Sequence, residues 1–269
     1  MHAAASTLLS SQVEGAHRGF HARSSRMGCV PMRNHANDPS AGNGEVFTDM
    51  SFTRDELARA LRAAGDEPTF ERCDFEGEDL SNLDFRAARF AQCHIGQTRF
   101  EHSDLSRTRW VGCKGASASF RYSNAGDARF IRSDLNNTDW TGAKLGSTLF
   151  TEVKLTGARF IDTRALGLSF HESLLVGATL RGLSFRKQTL EKLNFSDADL
   201  ADCDFRDAVF DGGSLGNVRL LNTRFDGADL RQVDLSGLRL SDVQQHLKGT
   251  ILSVDQAVML IGDCGVRVM

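Results

Sequence analysis

The chain has 269 residues, enough for one large or two ordinary domains. Its formal net charge of -3 at pH 7 is too mild to indicate or to exclude a nucleic-acid partner. No uninterrupted apolar run approaches the ~18 residues that a membrane span needs, which predicts a soluble protein without membrane contacts.

Cysteine usage indicates a reducing compartment. The six cysteines are spread through the chain and favour buried thiols over a disulfide framework. They are Cys29, Cys73, Cys93, Cys113, Cys203 and Cys264. We therefore expect a cytoplasmic protein.

The first segment, residues 1–50, is rich in Ala, Ser, His, Gly and Arg and has few acidic groups before Asp38. This composition predicts a disordered N-terminal extension. Its Arg/Ser-rich, acid-poor character also suits a transit or secretion signal. A translation start placed too far upstream explains it equally well, since Met27, Met32 and Met50 offer later starts.

Residues 51–66 have the signature of a capping helix. Thr53 and Glu56 have the spacing of a capping box, and an apolar stripe then continues until Gly65. The pattern predicts a helix over Arg54 to Ala64. Such a helix would cover the open end of a repeat structure, where unpaired edge groups invite aggregation.

Residues 67–243 form a repeat with a period of five. From Phe70 to Leu240, 32 of the 35 residues at every fifth position are Phe, Leu, Ile or Trp. This period matches neither the 3.6 of a helix nor the 2.0 of an ordinary strand. The three exceptions predict an underfilled core: Gly115, Ala125 and Ala165.

A second register accompanies the first. The residue two places before each large one is usually Ala, Ser, Thr or Cys, and a polar residue stands between them. Both registers must point inward. Large residues occupy the small position at Leu168, Leu183 and Leu193, which we expect to compensate for Ala165. Gln188 also falls on an inward position and should need a hydrogen-bond partner.

Units such as Ala-Asp-Leu at 198–200 and Ser-Asp-Leu at 133–135 resemble the A(D/N)LXX consensus of the pentapeptide-repeat family. The resemblance covers about two thirds of the chain. It implies an all-β fold, a right-handed quadrilateral parallel β-helix with four units per coil and about nine coils. The twenty-residue spacing of Cys73, Cys93 and Cys113 supports this coil length.

Residues 244–269 have a different pattern, because the frame shifts by two after Leu240. Ser253 precedes an apolar stripe that predicts a helix ending near Gly262. Residues 247–268 resemble the C-terminal module of the quinolone-resistance (Qnr/MfpA-type) subset, which implies a homodimer. The implied interface residues are Leu252, Val254, Ala257, Val258, Ile261, Val266 and Val268. The alternative is a monomeric lid.

The sequence contains none of the common catalytic or nucleotide-binding motifs. The cysteines at 73, 93 and 113 are the best metal candidates, but they fall on inward small positions without an inward histidine, which favours core thiols. We therefore expect a non-enzymatic protein with no catalytic residues, no cofactor and no metal.

The outward charge is segregated. Residues 66–85 carry eight acidic residues and one Arg, a net of -7. Residues 86–187 carry sixteen Lys/Arg and eight Asp/Glu, a net of +8, and residues 188–243 carry six and eleven, a net of -5. The solenoid should be acidic, then basic, then acidic.

Resemblance to the Qnr/MfpA-type and albicidin-resistance proteins implies a partner, DNA gyrase or topoisomerase IV, bound as a duplex mimic without direct nucleic-acid binding. The candidate contacts are Asp197, Asp199, Asp202, Asp204, Asp207, Asp211, Asp226, Asp229 and Asp234. Each Asp could instead merely fill the consensus polar position. The uninterrupted frame and the basic middle favour a loopless gyrase binder or self-immunity protein.

Two other classes of function stay open at this point. One is a scaffold or secreted effector, addressed by residues 1–50, whose solenoid binds another protein. The other is a plain structural rod without a specific partner.

Overall fold

The computed structural model describes residues 44–262 and 265–267, all within the unit Pro31–Met269. In this part of the chain, nine three-residue strands and three helices are formed. They are β1 Val46–Thr48, α1 Arg54–Ala63, β2 Thr69–Glu71, β3 Arg89–Ala91, β4 Arg109–Val111, β5 Arg129–Ile131, β6 Leu149–Thr151, β7 Ser169–His171, β8 Thr189–Glu191, β9 Val209–Asp211, α2 Leu240–His246 and α3 Val254–Gly262. No helix within these ranges has the length and apolarity to cross a membrane.

The strands β2 to β9 recur every twenty residues and lie on one side of a four-sided coil. Consecutive strands from β2 to β7 pair in parallel, with Phe70 opposite Phe90. Isolated parallel bridges at the same spacing join the other three sides, as in the pairs Asp74 with His94, Asp79 with Arg99, and Asp84 with Asp104. Four units therefore make one coil, and the predicted β-helix is confirmed, with about eight turns where nine were predicted.

We number the sides by their large residues. The first side contains Phe70 and every twentieth residue after it, and the second, third and fourth sides begin with Phe75, Leu80 and Phe85. Each side stacks its large side chains into an interior column.

These columns form the core. Phe90 stacks on Trp110 with ring centroids 3.8 Å apart, and Phe120 stacks on Trp140 at 4.1 Å. Columns on opposite sides of the coil meet edge to face across the interior, as Trp140 of the third side does with Phe150 of the first. Each fully buried large side chain contributes about 1.5–3 kcal/mol, and favourable ring geometry adds to it.

Several of the polar side chains at small positions bond to the preceding coil. The hydroxyls of Thr98 and Thr148 each donate to a carbonyl 23 residues earlier, at 2.7 Å. The thiols of Cys93 and Cys113 make the same contact at 3.3 and 3.5 Å. A buried polar group with a partner costs little, so Ser, Thr and Cys are tolerated here beside Ala.

The first coil begins earlier than predicted. Residues 46–48 form β1, which pairs in parallel with β2 and places Phe47 opposite Phe70. The predicted disorder of residues 1–50 is therefore wrong for 44–50, and residues 1–43 lie outside the described part. This segment is ordered because Phe47 and Phe52 are five residues apart and both buried, so they extend the hydrophobic core toward the N-terminus.

The predicted N-terminal helix is confirmed as α1. The Thr53 backbone N–H donates to Glu56 Oε2 at 2.9 Å, and Leu57 is fully buried. The Arg54 guanidinium donates to the carbonyl oxygens of Asp79 and Ser81 at 2.6 and 2.7 Å. These bonds tie α1 to the first coil.

The C-terminal end holds one helix that the sequence reasoning missed. The repeat was predicted to run to residue 243, but α2 begins at Leu240 and so replaces the last unit. The sequence indicates this helix by the helical spacing of three apolar residues, Leu240, Val243 and Leu247. Of these, Leu247 is buried. The predicted C-terminal helix is confirmed as α3.

The predicted underfilling at Gly115 is wrong. A Cβ atom at this position would lie 2.8 Å from side-chain atoms of both Ile95 and Leu135, the residues of the coils on either side. The neighbouring side chains have closed over the glycine, so the space is already filled.

The ladder of backbone hydrogen bonds is interrupted between residues 161–168 and 181–189. Five N–H groups that donate to the adjacent coil elsewhere have no backbone acceptor among the described residues. They belong to Asp162, Ala165, Gly167, Ser184 and Thr189. The strands β7 and β8 accordingly belong to separate sheets.

The ladder gap coincides with two oversized inward residues. Leu168 and Leu183 are both buried at small positions. The predicted partner of Gln188 exists: its Nε2 donates to the Leu168 carbonyl oxygen at 3.3 Å, in place of a backbone donor. Leu166, at the corner of the gap, is 92% exposed.

Substituting Gly115 by Ala should lower the free energy of unfolding by about 1–3 kcal/mol, because the new methyl group overpacks the core. Urea denaturation measures the change. The matched control is Gly96→Ala, where the nearest atom to a new Cβ is a Glu76 side-chain oxygen at 3.4 Å. Equal effects of the two substitutions would contradict the interpretation.

Amide hydrogen exchange should be fastest in the ladder gap, because exchange requires a free or transiently opened N–H group. We expect lower protection at Ala165, Gly167 and Ser184 than at Leu145, Ser147 and Arg164, their respective bonded counterparts in the preceding coil. Exchange measured by NMR tests this. Uniform protection along the fourth side would show that the coils are closed.

Candidate functional site

The nine candidate aspartates lie on all four sides of the last coils. Asp229, Asp234, Asp199 and Asp204 precede large residues on the first to fourth sides in that order. The structure therefore does not gather the nine carboxylates on one surface. It separates them by environment instead.

Three of the candidates are held by arginines. Asp199 lies 2.6 Å from the guanidinium of Arg181, and Asp204 and Asp229 lie 2.6 Å from those of Arg206 and Arg231. These carboxylates are only about one fifth exposed. A paired carboxylate is a weak attractant for a cationic partner, so these three are poor contact residues.

Bonding to Arg206 lowers the pKa of Asp204 to about 2. The hydrogen bond from Arg231 likewise lowers the pKa of Asp229. At Asp234 the cause is different, because the side chain of Ser236 is the main group that lowers its pKa. Stabilisation of the ionised form marks all three as structural carboxylates.

The other five candidates are exposed, and none has a described arginine within 3.5 Å. The nearest are the guanidinium of Arg186, 3.7 Å from Asp207, and that of Arg224, 4.0 Å from Asp226. We call the five residues the exposed acidic set: Asp197, Asp202, Asp207, Asp211 and Asp226.

Part of the exposed acidic set has a structural reason to be there. Asp197, Asp202 and Asp207 stand at three consecutive corners of one coil, with φ of 59°, 62° and 58°. Asp and Asn tolerate this left-handed conformation better than most residues. Asp211 and Asp226 are not at such positions, so the turn does not explain them.

The acidic surface includes a residue that the sequence reasoning missed. Glu191 on β8 is exposed and lies in register opposite Asp211 on β9. The Asp207 N–H donates to the Asp226 carbonyl oxygen at 3.0 Å, so these two residues also belong to adjacent coils. The twenty-residue spacing of Glu191 and Asp211 equals one coil, so the sequence already indicates that these two residues are neighbours.

The second candidate surface is on α3. Gln256 fixes the helix to the last coil, since its Nε2 donates to the carbonyl oxygens of Leu230 and Val233 at 2.7 and 2.8 Å. Leu260 is buried on the same face, although it was not among the predicted residues. Predicted residues Leu252 and Ala257 are half-buried.

The opposite face of α3 is apolar and exposed. Val254 is 79% exposed, and Val258 and Ile261 are each 39% exposed. Val266 is also exposed, whereas Val268 lies outside the described residues. Two further exposed residues were missed, Ile251 and Met259. We call Ile251, Val254, Val258, Met259, Ile261 and Val266 the C-terminal apolar face.

The cysteines form no metal centre in the described part of the chain, where no group of three potential ligands is found. Cys73, Cys93, Cys113 and Cys203 are buried and free. Burial raises the pKa of Cys203 to about 12, so this thiol is protonated near neutral pH. Its Sγ donates to the Leu180 carbonyl oxygen at 3.0 Å.

The Asp204–Arg206 pair should make stability depend on pH. A folded-state pKa below the usual aspartate value of 3.8 stabilises the fold above about pH 4, and the contribution disappears as pH falls to about 2. Asp204→Asn should therefore cost about 1–2 kcal/mol at pH 7 and little at pH 2. Thermal unfolding at both values measures it, with Asp197→Asn as the exposed control. A pH-independent loss would exclude the ion pair as the cause.

The repeat is matched by two family models. A model described as "Pentapeptide repeat region" matches residues 67–140 and 85–160, and one described as "Pentapeptide repeats (8 copies)" matches 169–207 and 198–242. Together they cover more than half of the chain. No curated protein matches it.

Solved structures of similar proteins share low sequence identity with this chain. Trypsin-treated QnrB1, a plasmid-mediated fluoroquinolone resistance protein, is 19% identical, with a TM-score of 0.48 over 83% of this chain and 98% of that one. HetL, a pentapeptide repeat protein involved in heterocyst differentiation regulation in the cyanobacterium Nostoc, is 19% identical, with a TM-score of 0.27 over 77% and 86%. The repeat, its twenty-residue coil and the two family models establish that the chain belongs to the pentapeptide-repeat family.

Proposed function

We propose that this protein binds bacterial DNA gyrase or topoisomerase IV in the cytoplasm as a non-enzymatic DNA mimic, and thereby protects it from a topoisomerase poison. The observation that carries the proposal is the exposed acidic set, five carboxylates on the outside of the last coils. The C-terminal apolar face, on the helix that Gln256 fixes to the last coil, supports a symmetric, acidic-centred dimer.

The β-helix is suited to present charge in the manner of a duplex. DNA offers a cationic surface a regular array of phosphates on a stiff support. Here the stacked coils fix each side chain at intervals of about 4.8 Å along the solenoid, so little conformational freedom is lost on binding. Carboxylates at the corners extend outward and steer association with a basic surface.

The C-terminal apolar face supplies the means of pairing. Six apolar side chains project from α3 and its flanks while Leu260 and Gln256 hold the helix to the coil. Contiguous apolar surface of this kind is covered in stable assemblies, and two copies of one helix pair most simply about a two-fold axis. Such a dimer would place both acidic sections around its centre.

The proposed function is tested with purified gyrase and topoisomerase IV. We expect the protein to inhibit supercoiling or decatenation at micromolar concentration, or to relieve a poison, with binding that weakens as salt rises. Changing the five residues of the exposed acidic set to Asn should reduce binding by about tenfold or more.

The matched control keeps the same change of charge but moves it away from the last coils. It carries five exposed acids changed to their amides: Asp66, Asp74, Glu76, Glu152 and Asp162. If both variants lost the same affinity for the topoisomerase, the effect would come from net charge and not from the exposed acidic set. No interaction of the wild-type protein with either enzyme would refute the proposal and favour the scaffold alternative.

The dimer is tested separately by sedimentation or light scattering. We expect a dimer for the wild-type protein and a folded monomer for Val258→Asp combined with Ile261→Asp, because a carboxylate at the interface would be buried without a partner. Leu166→Asp is the control, since Leu166 is an exposed apolar residue away from α3. A wild-type monomer at tens of micromolar would contradict the proposed pairing.

A further inference from the structure

A second charged feature, of opposite sign, lies on the first side of the solenoid. Arg89, Arg109 and Arg129 occupy the same position in β3, β4 and β5 and are paired in register. Adjacent strands are about 4.8 Å apart, so three like charges follow one another along the sheet. Arg107 stands at the neighbouring corner, two residues before Arg109.

Three of these four arginines are not neutralised within the described part of the chain. Arg89 forms an ion pair with Glu67 at 3.5 Å, but Arg107, Arg109 and Arg129 have no ion pair with any described carboxylate. By contrast, Arg86 on the same solenoid forms a 2.7 Å pair with Asp84, two residues earlier. Like charges stacked in register destabilise a sheet, so this column is not explained by folding.

The four arginines line a shallow groove. Its walls are completed by Glu67, Ala87, Thr108 and Asp127. Ala87 lies between Glu67 and Arg107 in one corner column with a twenty-residue spacing, and its side chain is the shortest of the three. The Thr108 hydroxyl is bonded inward to the Leu105 carbonyl oxygen at 2.6 Å. Four arginines and two carboxylates give the groove a net charge of +2.

The groove is confined in extent. In the arginine column the next residues are Thr69 on one side and Leu149 on the other, and Glu67 and Asp127 lie at the flanks. A duplex lying along the solenoid would meet these neutral and acidic residues. A small anion with several charges matches the footprint better.

We propose that this arginine groove binds an oligophosphate, either the phosphate chain of a nucleoside triphosphate or an inorganic polyphosphate. Guanidinium groups present N–H donors in a fixed fork that matches two oxygens of one phosphate. Adjacent guanidiniums in the column would each take a successive phosphoryl group. The groove lies among the basic coils and is independent of the acidic surface and of the topoisomerase proposal.

Calorimetric titration of the full chain with tripolyphosphate, ATP and a short DNA duplex at physiological salt tests the proposal. Saturable binding of tripolyphosphate or ATP is expected. Similar affinities would identify the phosphate chain as the ligand, and tighter binding of ATP would identify a nucleotide. Binding of the duplex alone, or of none of the three, would overturn the proposal.

The variant Arg109→Gln with Arg129→Gln should weaken oligophosphate binding by about tenfold or more, and Lys at both positions should weaken it less because the charge is kept. The matched control is Arg159→Gln, since Arg159 is exposed in the same unit position on the third side. Unfolding temperatures verify that each variant is folded. An equal loss in the Arg159 variant would show non-specific attraction and overturn the assignment.

Discussion

Every feature of the solenoid depends on closing each coil after four units, so that a large side chain always lies on the large side chain of the coil before it. The consequence is a continuous interior in which Trp110 is stacked between Phe90 and Phe130. Ring stacking and burial act along the same axis as the backbone ladder, so both favour one register. A slip by one residue would expose every large side chain on that side at once.

The same constraint explains the small positions and the place where the fold departs from its rule. A polar side chain at a small position is satisfied by a nearby carbonyl, as Thr98 is by the Phe75 carbonyl oxygen of the preceding coil. Leu168 and Leu183 are too large for this, and the ladder opens beside them. Gln188 shows the compensation, because its side-chain amide supplies a donor to the Leu168 carbonyl oxygen. The core keeps its volume at the expense of backbone bonds.

Much of the fold follows from the sequence because the repeat encodes it locally. Side chains five apart predict the inward columns, and the capping signals predict α1 and α3. What the sequence reasoning missed depends on contacts between coils or on short signals. Strand β1 is indicated in the sequence by only two residues, Phe47 and Phe52. The space beside Gly115 is filled by the side chains of Ile95 and Leu135, which come from the coils on either side.

The candidate surface was less predictable for the same reason. Whether an Asp is free or paired depends on an arginine two residues later, as for Asp204 and Arg206, or eighteen residues earlier, as for Asp199 and Arg181. Consensus alone treats both as equivalent polar positions. Only the three-dimensional structure shows which of the nine carboxylates are bonded to neighbouring side chains and which are exposed.

Where the fold requires a residue type, that residue carries little information about function. Asp197, Asp202 and Asp207 satisfy left-handed corners, for which Asn would serve as well. Asp211 and Asp226 meet no such requirement, and neither do Arg109 and Arg129, whose stacking opposes folding. Outward charged residues that the fold does not require are therefore the best ones to substitute. Their removal should leave the solenoid folded and change its binding.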